Sequence, residues 1–157
     1  MPSSDLENLT SIASLIQTFF VILSVFFVGY QIREQNRLTR AANTQTVLAL
    51  ASPFLLQLSQ DQNLAKLWMD GAIHYQKLDK VEQFRYLQLL FWWMNLHENI
   101  FYQHQNGLID QQIYAGWQIE LRNFIRDKHI KEFWDKDMKS LFRTEFGQLV
   151  ETLIQLG

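Results

Sequence analysis

The chain has 157 residues, a formal net charge of -2, 48% hydrophobic and 14% aromatic residues, and no cysteine. That balance gives no support to nucleic-acid binding, and the missing thiols exclude disulfides, thiol catalysis and thiolate metal sites. With only 6 Gly and 2 Pro, a loop-rich or all-β fold is disfavoured, because such folds use both residues to turn.

Residues 1–9 are short and polar and read as an N-terminal tail, with Ser3, Ser4 or Asp5 able to cap the entering helix and Glu7 favourable in its first turn. Residues 12–30, IASLIQTFFVILSVFFVGY, hold no Asp, Glu, Lys or Arg. A bilayer core needs about 20 mostly apolar helical residues, and a helix is the one single segment that satisfies its own backbone in lipid. The expected transmembrane helix is residues 10–31. A cleavable signal peptide fits worse: no Lys or Arg precedes the stretch, it is long for an h-region, and no Ala-x-Ala-like site follows. Asp5 and Glu7 precede it, whereas Arg33, Arg37 and Arg40 follow it. The positive-inside rule then puts the N-terminus outside and the remainder in the cytoplasm, with Tyr30 at the membrane interface.

The helix is expected to continue beyond the membrane as a juxtamembrane helix over residues 32–59, kinked or broken near Ser52 and Pro53. Residues 47–58 are apolar but too short and interrupted to span again. A bundle follows over residues 61–157. Asp61 opens a short helix with Leu64, Leu67 and Trp68 on one face and Gly71 as its stop. Asp79 with Glu82 has capping-box spacing and opens a longer helix ending at Gly107, a left-handed cap. Asp110 caps the next, with Ile113, Trp117, Leu121 and Phe124 or Ile125 at helical spacing. Ile130, Phe133, Trp134, Met138 and Leu141 lie in phase on a shorter piece. Thr144 begins the last helix, with Phe146, Leu149, Val150, Leu153 and Ile154 as its apolar stripe. No stretch sustains period-two alternation. The fold class is all-α: one N-terminal transmembrane helix continuing into a long helix, then a cytoplasmic helical bundle.

Several landmarks recur together: Gln31-Ile32-Arg33, Arg37 and Arg40-Ala41-Ala42 after the apolar helix, Trp68 with Gly71, Glu98-Asn99 with Phe101-Tyr102 and Gly107, then Trp117 and Trp134. With them the chain resembles a broad group of uncharacterised bacterial single-pass membrane proteins with a small cytoplasmic helical domain. The resemblance covers most of the chain and implies a bacterial source and an inner (plasma) membrane address. It implies no activity.

Polar and small residues of the first helix fall in one phase. Ser14, Gln17, Val21, Ser24, Val28, Gln31 and Gln35 are separated by alternating steps of three and four, a phase that Thr10 precedes and Leu38, Ala42 and Gln45 continue. This is a 3.5-residue repeat. Ile12, Leu23, Phe26, Phe27 and Tyr30 occupy the opposite, lipid-facing side. Membrane helices associate through small residues and side-chain hydrogen bonds, so Gln17 and Ser24 call for partners. Three readings follow: a plain tether whose hydroxyls bond back to their own carbonyls, a helix–helix seam making a homo-oligomer, or the lining of a small homo-oligomeric channel. The in-phase continuation past the membrane favours the seam. The absence of intramembrane charge and of a second spanning helix disfavours the pore.

His97 and His104 share the apolar face of the long helix with Tyr86, Leu90, Trp93, Met94 and Phe101. Seven residues at a 1.5 Å rise separate them by about 10 Å, too far to share an ion held at about 2 Å from each nitrogen. A metal or enzyme site at His97, Glu98 and His104 is therefore a minor alternative to a core histidine with a hydrogen-bond partner. No nucleophile elbow, P-loop or dinucleotide fingerprint occurs. Arg122, Arg126, Lys128, Lys131, Lys136, Lys139 and Arg143 are interleaved with Asp127, Glu132, Asp135 and Asp137. That row reads as a solvated face first, and as a contact for anionic lipid second. The expectation is a non-enzymatic assembly or interaction protein without cofactor or metal. Its partners are the lipid bilayer, further copies of itself and an unidentified protein, and not nucleic acid.

Overall fold

The computed structural model describes residues 3–156, and the side chains of residues 12–156 apart from Lys128 and Asp137. Every regular element among them is helical: α1 (Ser3–Gln60), α2 (Gln62–His74), α3 (Lys80–Gln105), α4 (Gln111–Ile125), α5 (Lys128–Phe133) and α6 (Thr144–Gln155). Single 3₁₀ turns follow α2 and precede α6, and a π-helical turn over Trp134–Met138 follows α5. The all-α expectation is met. Contacts divide the chain into two units, Met1–Thr39 and Arg40–Gly157.

The first unit is the N-terminal part of α1. The helix takes in most of the segment expected as a tail; its capping by Ser3, Ser4 or Asp5 concerns side chains outside those described. Over residues 12–38 its large apolar side chains are exposed, Leu15 at 71% and Phe26 at 73% among them. This is one helix long and apolar enough to cross a membrane.

The second unit holds the core. Val47, Ala51 and Phe54 of α1 are buried, with Leu58 packed against them. Of the kink or break expected near Ser52 and Pro53, the break does not occur: α1 runs through to Gln60. Proline at an exposed position still removes one donor, leaving the Ala49 carbonyl without its i+4 N–H. The neighbouring Ser52 hydroxyl donates to the Leu48 carbonyl at 2.6 Å.

Aspartates set the starts of α2, α3, α4 and α5. Asp61 Oδ1 accepts from the N–H groups of Asn63 and Leu64 at 2.8 and 3.1 Å. Asp79 and Glu82 form the full capping box at 2.8–3.0 Å. Asp110 and Asp127 cap α4 and α5 through Gln112 and His129 N–H at 2.8 Å. The end of α3 is a Schellman motif, with Leu108 N–H donating to Gln103 O, Gly107 N–H donating to His104 O, and Gly107 at φ 69°.

Three further expectations of the sequence need correction. Gly71 does not stop α2; it lies buried inside it, where a Cβ would overlap the Tyr86 ring of α3. Glycine is there for close approach, not for termination. Tyr114, not Ile113, begins the buried face of α4; Ile113 is exposed. Leu141 is also exposed, and Phe142 takes the core position, because the 3₁₀ turn shifts the helical phase. The α6 stripe is as expected, with Phe146 and Val150 fully enclosed.

Aromatic rings dominate the centre. Phe54 meets Trp68, Trp92 and Trp93 at 5.3, 4.8 and 5.5 Å between centroids. Trp93 also lies 6.3 Å from Trp68 and 6.5 Å from Trp117. Trp68 stacks on Phe124 of α4 at 5.5 Å. Such pairs each add about 0.5–1.5 kcal/mol beyond area burial, so this network ties α1, α2, α3 and α4 together.

Candidate functional site

The stripe residues of α1 stand together on one exposed face: Gln17, Val21, Ser24 and Val28 line a single shallow concavity with Phe20 and Val25. Ser14, Gln31 and Gln35 are exposed as well. Ser24 Oγ donates to the Phe20 carbonyl at 2.7 Å and Thr18 Oγ1 to Ser14 O at 2.9 Å. The Ser24 hydroxyl thus satisfies itself within the helix. No protein group among the described residues meets the Gln17 amide. Tyr30 is 66% exposed, and Arg33, Arg37 and Arg40 are exposed beyond it. Arg37 pairs with Glu34 at 2.6 Å across one turn.

His97, Glu98 and His104 do not converge. His97 is the one buried polar residue among the described side chains, edge-on to Trp93 at 5.1 Å and to Trp117 at 5.6 Å. Burial lowers its pKa to about 3, so the ring is neutral. The sequence led us to expect a hydrogen-bond partner for it, but Nε2 has none. Glu98 turns away to accept the Arg143 N–H at 2.9 Å, and His104 stacks on Tyr114 at 3.9 Å while its Nε2–H donates to Gln111 Oε1 at 2.7 Å. His97 and His104 both face α4, at different levels of α3, and Glu98 faces the start of α6.

One polar cluster escaped the sequence reading. Tyr102 donates its hydroxyl to Glu145 at 2.9 Å, and the Arg143 guanidinium lies 4.5 Å over the Tyr102 ring. With Glu98 these side chains join α3 to the start of α6. The Glu145 carboxyl is held below the usual range by its own backbone N–H first, then by the Tyr102 hydroxyl. The i, i+4 spacing of Glu98 and Tyr102 was visible; their partners, more than 40 residues on, were not.

The basic row is not one surface feature. Arg122 is half-buried, whereas Arg126, Lys136, Lys139 and Arg143 are exposed, and Lys139 pairs with Glu151. A cleft between α2 and the start of α3 sets Lys66, Lys77 and Arg85 among Asp70 and Glu82, an open mixture of both charges with no buried polar group. No family model, curated protein or solved structure matches the chain.

Proposed function

We propose that the protein is a membrane-anchored, non-enzymatic assembly protein that pairs with copies of itself through the α1 face of Ser14, Gln17, Val21, Ser24, Val28, Gln31 and Gln35. In this reading residues 10–31 span the bacterial inner membrane, with the N-terminus outside and the helical unit in the cytoplasm. The observation that carries it is the exposure of the uncharged apolar stretch over residues 12–30 of α1, bearing a Gln17 amide that meets no protein group among the described residues. Apolar surface of that extent is covered by lipid or protein, since soluble surfaces expose only small patches. Arg33, Arg37 and Arg40 on one flank favour the stated orientation. An amide in hydrocarbon gains about 1–2 kcal/mol from bonding across a helix pair.

Light scattering of the detergent-solubilised protein, with detergent mass subtracted, tests the reading. A discrete oligomer is expected, and Gln17→Leu should weaken it about tenfold, the equivalent of about 1.4 kcal/mol. A monomer for the unaltered chain overturns it and leaves α1 as a tether.

A further inference from the structure

Residues 41–60 contain no charged side chain, although most of them lie outside the core. In this part of α1 the core-facing residues are Val47, Ala51, Phe54 and Leu58. Gln45, Ala49, Ser52 and Leu56 each stand two positions earlier, about 200° round the helix, on its opposite side. All four are exposed, Leu56 at 55%, and Leu48 and Leu55 flank them at 53% and 49%. The spacing of four, three and four is that of a coiled-coil seam. A solvated helix face normally carries charge; this one carries small residues and leucine.

We infer that this face docks on the same face of a second copy, in parallel and in register. The inference rests on the self-pairing reading above, and two considerations select the occupant. Parallel pairing sets each residue against itself, so any charged face repels its copy; this face has no charge to repel. Its area also matters. Twenty residues of helix give a strip about 30 Å long and about 10 Å wide, roughly 300 Å² per partner, against about 800 Å² in a stable free-standing complex. A partner arriving from solution would need more surface. A second copy already held alongside by its membrane segment is supplied at an effective concentration of order millimolar, and the small strip suffices.

The lack of native cysteine permits a direct test in full-length protein in membrane vesicles. Ala49→Cys, Ser52→Cys and Leu56→Cys probe the face, Leu50→Cys and Gln57→Cys probe exposed positions off it, and Ser24→Cys probes the membrane segment. Under a copper oxidant a disulfide forms only where Cβ atoms approach to about 3.5–4.5 Å. Covalent dimer is expected at 49, 52 and 56, with its loss at 50 and 57. Dimer at Ser24→Cys alone overturns this inference and leaves the membrane pairing standing. No dimer at any position removes both, and equal dimer at all five α1 positions beyond the membrane marks random collision and overturns the inference.

Discussion

His97 is enclosed by the edges of two indoles, and burial holds its imidazole far below its ordinary value, at about 3. In the unfolded chain the same group titrates near 6.5. Its neutral native form therefore contributes fully above about pH 6.5. As pH falls from there toward 3 the unfolded state takes up a proton that the folded state refuses, and stability drops by about 1.4 kcal/mol per unit. His97→Leu should remove that slope, read as the difference between the two proteins' urea midpoints at pH 7 and pH 5. Gly71 makes a separate residue-scale prediction. Gly71→Ala places a methyl into the Tyr86 ring and should cost about 1–3 kcal/mol through overpacking, seen as a lower melting temperature. Both residues were visible in the sequence, His97 by its phase on an apolar face and Gly71 by its position after a short helix. Trp93, one turn before His97 on α3, was legible as well, whereas Tyr86 at Gly71 and Trp117 at His97 arrive only through tertiary packing.

Helix boundaries were legible where a local rule sets them. Asp61, Asp79, Asp110 and Gly107 act within a few residues of their own backbone, and each performs the expected capping. Asp79→Ala should cost about 1 kcal/mol, as a lost N-cap does, measured by denaturant unfolding. The start of α6 is different. Arg143 offers no side-chain cap, and its N–H is met by Glu98, 45 residues earlier. No local pattern reports such a pair. Glu98→Ala should destabilise the unit by about 1–2 kcal/mol, and Glu98→Gln, which keeps an acceptor oxygen, should recover part of the loss. Pro53 shows packing overriding propensity: Val47, Ala51, Phe54 and Leu58 hold the helix across a residue that costs about 3 kcal/mol in a helix interior. Pro53→Ala should accordingly raise the unfolding midpoint in circular dichroism.

On the scale of the whole molecule, every buried core residue among the described side chains lies at or beyond Val47. The unit Arg40–Gly157 carries its own core, so residues 40–157 expressed alone should unfold cooperatively with the midpoint of the full chain. A non-cooperative melt would contradict that. All five tryptophans belong to this unit, and Trp68, Trp92 and Trp117 lie within 6.5 Å of Trp93 between ring centroids. Residues 1–39 carry no tryptophan, so indole emission reports on the second unit. The same crowding makes these four indoles exchange excitation among themselves, so a quencher reaching the half-buried Trp68 or Trp92 darkens the enclosed Trp93 as well.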